Sequence, residues 1–170
     1  MKKGNFLVPI LIVVIVIFII FYLIANTNQP NVICEMSKSN DLNIETQEKI
    51  NVKLSSRKIT ELNIKKEYIF PKKIADEANL KMLKDLLDNS FEYLGDDQNV
   101  YIKDNKVIVN IITTKKKPVL LDNVEFISNE GLSIKVNTNT KSDVTNLSVG
   151  EEYSEGKLLS YLKSRGYDCK

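Results

Sequence analysis

Residues 49–70 read KINVKLSSRKITELNIKKEYIF. Ile50, Val52 and Leu54 alternate with Lys49, Asn51 and Lys53. After SSRK, positions 62, 64, 66, 68 and 70 share one parity; they hold Leu, Ile, Lys, Tyr and Phe, so Lys66 alone breaks an apolar face. Successive strand side chains point to opposite faces, so this period of two predicts a hairpin half buried against another layer.

Working outward, the pattern changes at Pro71. Leu80, Leu83, Leu87, Phe91 and Leu94 form one helical stripe, with Asp76, Glu77, Lys81, Lys84 and Asp88 on the other side. This spacing predicts a helix from Pro71 to about Leu94, stopped at Gly95. NVYIKDNKVIVNIITT (99–114) then predicts a second hairpin turning at Asp104-Asn105, and KKKP ends it. NVEFISNEGLSIKVNT (123–138) predicts a third, turning at Gly131, with Leu132, Ile134 and Val136 inward. Upstream, NVICEMSK reads as a first strand and SNDLNIE as a loop. Ser154 is placed to cap a last helix, with Leu158, Leu159 and Leu162 on its apolar face and Gly166 as its stop.

The residues before this part are of another kind. FLVPILIVVIVIFIIFYLIA, residues 6–25, holds no charge. Twenty residues of helix extend ~30 Å, about the hydrocarbon thickness of a bilayer. Lys2 and Lys3 precede the run and Lys38 is the first basic residue after it. The positive-inside rule then orients the N-terminus toward the cytoplasm. The expected organisation is a cytoplasmic tail (1–5), a single-pass transmembrane signal anchor in the cell membrane (6–25), a linker (26–31) and an extracytoplasmic domain (32–170). Cleavage as a signal peptide and lipidation at Cys34 are the alternatives; Leu23-Ile24-Ala25 is a poor cleavage site, and Ile33 is a poor neighbour for a lipidated cysteine. The expected fold class is α+β: an N-terminal transmembrane helix, then a mainly antiparallel sheet with two helices packed on one face.

Charge and composition narrow the function. Removing Lys2 and Lys3 from 24 basic residues leaves 22, against 22 acidic ones. The remainder is neutral, which argues against a nucleic-acid partner. The chain has no histidine, which removes Ser-His-Asp and Cys-His catalysis, histidine-ligated zinc and a histidine general base. No cofactor is implied.

Cys34 and Cys169 are the only cysteines. An extracytoplasmic location permits a disulfide, and two cysteines at the two edges of one domain suit a single bridge. A free buried pair and intermolecular bridging through Cys34 are the other possibilities. A bridge would bring the first strand beside the segment after the last helix, most simply as neighbouring strands. No C-x-x-C is present to support redox catalysis.

The cysteine after the apolar run and the terminal GYDCK, Gly166–Lys170, resemble small membrane-anchored extracytoplasmic proteins of AT-rich Gram-positive bacteria, loosely akin to the YehR-like lipoproteins. Members pair a cysteine after the anchor with one in a terminal G-[YF]-x-C-K segment. The resemblance implies the location and the Cys34–Cys169 pairing, and carries no catalytic or ligand-binding residue. This chain departs from the group in lacking a lipobox.

Three further constellations bear on chemistry. Ser37-Lys38 could in principle serve Ser/Lys acyl transfer, but neighbours on a strand point to opposite faces. Asp96, Asp97, Asn99, Asp104 and Asn105 lack the spacing of a calcium loop. Lys115, Lys116 and Lys117, with Lys65-Lys66 and Lys72-Lys73, could form an anionic contact patch; lysines at a sheet edge also block aggregation. The expected function is a non-enzymatic extracytoplasmic protein- or ligand-interaction domain, with an envelope protein or an anionic surface polymer as partner. The alternative is a histidine-free envelope enzyme using Ser/Lys or carboxylates.

Overall fold

The structure, a computed structural model, describes residues 7–27, 32–91, 97–116, 118–121, 123–128, 132–137 and 146–170. Lys2, Lys3, Leu94, Gly95, Asp96, Lys117, Gly131 and most of the expected linker lie outside them.

Helix α1 is Leu7–Thr27. The expectation of a transmembrane anchor is corrected here: among the described residues, no helix is long and apolar enough to cross a membrane.

The body is mainly antiparallel sheet. Strands β1 (Val32–Ser39), β2 (Glu45–Ser55), β3 (Lys58–Ile69), β4 (Asp97–Lys103), β5 (Lys106–Thr113) and β10 (Asp168–Cys169) form one six-stranded sheet in the order β10-β1-β2-β3-β5-β4. Both hairpins turn as their residues require. Ser56 and Arg57 take φ of 50° and 63°, and Asp104 takes 55°; such positive φ values match the twist of the flanking strands. Two smaller sheets pair β6 (Pro118–Leu120) with β9 (Asn146–Ser148), and β7 (Val124–Ser128) with β8 (Leu132–Val136).

Register converts the alternation into two unlike faces. Cys34, Ile50, Ile64 and Ile111 lie in one row across β1, β2, β3 and β5, and all are buried. The adjacent row on that face runs Met36, Glu48, Lys66, Val109 and Val100. The opposite face carries the row Glu35, Lys49, Lys65, Asn110 and Asn99. One face is thus core and the other largely polar, except that Ile108 is buried there.

Helices α2 (Glu77–Phe91) and α3 (Glu155–Ser164) add Leu80, Leu83, Leu87, Leu158 and Leu162 to the same core cluster. Helix α2 starts at Glu77 and not at Pro71. Residues after Pro71 form a turn closed by the Ile74 N–H donating to the Pro71 carbonyl (3.0 Å). Asp76 is the cap: its Oδ1 accepts from the Asn79 N–H at 2.7 Å, satisfying a first-turn donor. Ser154 caps α3 as expected, its Oγ accepting from the Lys157 N–H, and Gly166 leaves the helix at φ +90°.

Cys34 and Cys169 are register partners on β1 and β10, with Cα atoms 4.0 Å apart and sulfurs bonded. The Lys170 N–H donates to the Ile33 carbonyl beside them (2.9 Å).

Candidate ligand cleft and the buried lysine beside it

A cleft of about 680 Å³ opens where the β1–β2 connection faces the β7–β8 hairpin. Lys38, Asn40, Ile44 and Thr46 form one wall; Asn123, Phe126, Lys135 and Val136 contribute to the other. The first wall is fixed by Asn40, whose Oδ1 accepts from the Leu42 and Ile44 N–H groups (3.0 and 2.9 Å). This Asx turn lets the chain reverse between strands. The Asn40 Nδ2 is buried without a hydrogen-bond partner. The second wall is held by Phe126, whose ring meets those of Tyr68 and Phe70 edge-on at 5.9 Å each. The Asn137 N–H donates to the Asn123 carbonyl (2.7 Å), closing the base of the hairpin. The result is an apolar bed with two lysines and Glu125 around it, a mixture that suits a ligand with an apolar body and polar acceptors.

Behind this cleft lies the residue that broke the sequence pattern. Lys66 is 0% exposed. Its Nζ donates to the Leu120 carbonyl (2.8 Å), to the Leu121 carbonyl and to the Asn123 Oδ1 (3.2 Å). The Glu48 carboxylate, its register partner on β2 and also buried, stands 3.8 Å from the Nζ. Buried ions persist only when paired and hydrogen-bonded. Here an amine with three protons meets four acceptors. Lys66 therefore fastens the main sheet to the segment leading into β7, and it does not belong to a surface patch with Lys65.

Ser37 lies on the open face, donating to Glu45 (3.0 Å), while Lys38 lines the cleft on the core side, so the two are not a dyad. Lys115 and Lys116 are exposed just beyond β5, and Lys117 is outside the described residues. Asp97 and Asn99 are in β4 and Asp104 is in the turn after it. Among the described residues no cluster of acidic or sulfur side chains could hold a metal ion. On the open face Glu67 bridges Lys65 (2.6 Å) and Lys106 (2.9 Å). The hydrogen bond from Lys65, then that from Lys106, hold its carboxyl below the usual carboxylate range.

These features define a disulfide-closed α+β domain with one charged, apolar-bedded cleft beside a sealed ionic cluster. No family model, curated protein or solved structure matches the chain.

Proposed function

We propose that this protein is a non-enzymatic interaction domain of an oxidising, extracytoplasmic compartment, and that it binds an envelope ligand or protein partner through the cleft between the β1–β2 connection and the β7–β8 hairpin. The observation that carries the reading is the cleft itself: apolar Ile44, Phe126 and Val136 lie beside the cationic Lys38 and Lys135. The Cys34–Cys169 bridge supports the compartment, since such bonds persist where thiols are not kept reduced. The donors suit a carbonyl or carboxylate oxygen on a partly apolar molecule.

The test is site-directed photocrosslinking in the native envelope. A benzophenone side chain at Lys135 is expected to capture a partner, and one at Gln47, on the open face, is not. Equal capture at both positions, or none at Lys135, would refute the assignment of the cleft.

A further inference from the structure

We propose that Lys66 and Asn123 are the two ends of a self-forming covalent crosslink, an isopeptide bond between the lysine amine and the asparagine carboxamide. Three observations meet in one cluster. The Lys66 Nζ is within 3.2 Å of the Asn123 Oδ1, so the nucleophile touches the carboxamide it would attack. The Glu48 carboxylate stands 3.8 Å from the same nitrogen, an ion-pair distance, and takes its proton once the amine turns one N–H toward it and the two close to hydrogen-bond reach. Lys66, Glu48 and Asn123 are 0%, 3% and 3% exposed, among Val100, Val109, Leu120 and Leu121. The Asn123 Nδ2 is buried and makes no hydrogen bond that would restrain its departure.

The chemistry balances without a co-reactant. Lys66 passes one ammonium proton to Glu48, and the neutral amine adds to the Asn123 Cγ. The Nζ–Cγ bond forms while the Cγ–Nδ2 bond breaks. Glu48 returns its proton and the Lys66 nitrogen gives up a second, so the Nδ2 group leaves as ammonium and Glu48 ends ionised as it began. No atom is oxidised or reduced. A carboxamide is a poor electrophile in water, but held reactants reach effective concentrations of ~10⁵ M and above, and a site closed to water suppresses hydrolysis. Glu48 is the general base and then the general acid.

The product would join β3 to the segment entering β7, residues 57 positions apart. Together with the disulfide it would give the domain two covalent closures of different chemistry, only one of them reducible.

Peptide mass spectrometry of the full, unmutated chain is the test. Trypsin does not cut after an acylated lysine and cuts poorly at Lys117-Pro118. The expected species after reduction is therefore residues 66–72 joined to residues 117–135, lighter than the two peptides by one ammonia. Glu48→Gln and Asn123→Ala are expected to abolish it. The unmutated chain alone decides the matter if either variant fails to fold. Cleavage after Lys66 with an intact Asn123 peptide would overturn the proposal. So would loss of ammonia from the Asn123 peptide without joining, which marks a cyclic imide. A joined peptide at unmutated levels in Glu48→Gln would overturn the role of Glu48.

Discussion

Replacing both cysteines, Cys34→Ala with Cys169→Ala, opens a loop whose ends are 135 residues apart in sequence. In the chain-entropy treatment, ΔS ≈ −2.1 − 1.5R ln n at this separation corresponds to about 5 kcal/mol at 25 °C. The folded side adds little to offset the loss. Strand β10 has only two residues, paired Cys34↔Cys169 and Glu35↔Asp168, with the Lys170–Ile33 bond next to them. A domain of ordinary stability has about 5–15 kcal/mol in total, so the change is large. Guanidinium unfolding followed by circular dichroism is expected to show a loss of about 3–5 kcal/mol, with a steeper m-value because the unbridged chain unfolds to a more expanded state. Amide exchange at Lys170 should rise more than at the β2–β3 pairing. A loss below about 1 kcal/mol with an unchanged m-value would show that the bridge adds no constraint the strands lack.

Phe126→Ala removes the ring meeting Tyr68 and Phe70 and should cost about 2–4 kcal/mol in thermal or denaturant unfolding. Ser154→Ala deletes the α3 cap and should cost about 1 kcal/mol by the same measurement. Gly166→Ala meets no atom within 4 Å but forces a side chain to φ +90°, for an expected loss of about 1 kcal/mol that is strain and not clash. Glu67 gives a pH signature. Its carboxyl is depressed in the fold by Lys65 and Lys106, so its contribution is present above the unfolded value near 4.3 and is lost as pH falls through the lower folded value. Glu67→Gln should therefore destabilise at pH 7 and match the parent once pH falls below the folded value; an equal deficit at both ends would refute the ion-pair origin.

How much of this was legible depended on how local the cause was. The hairpins followed from alternation, because Ile50, Val52, Leu62 and Ile64 each lie on the buried face. The start of α2 is not legible locally: Pro71-Lys72-Lys73 has the form of a helix start, whereas Asp76 supplies the capping oxygen five residues on. Strands β6, β9 and β10 have two or three residues each, too few to show a period. Lys66 was visible as an apolar-face lysine, a signal that something would have to neutralise it. Its acceptors lie 54 to 57 positions downstream, where nothing local marks them. The cleft was invisible for the same reason: its walls come from segments that meet only after the sheet has formed.

The pairing of β1 with β10 has a mechanical consequence. A pull applied between residue 32 and residue 170 enters and leaves the domain on two strands already riveted to each other. The load crosses the sulfur–sulfur bond within two positions of either strand's point of attachment, and the intervening hairpins and helices carry almost none of it. Stretched in an oxidising medium, the domain would behave as a short stiff link; after reduction the same pull would begin peeling β10 from its edge one hydrogen bond at a time.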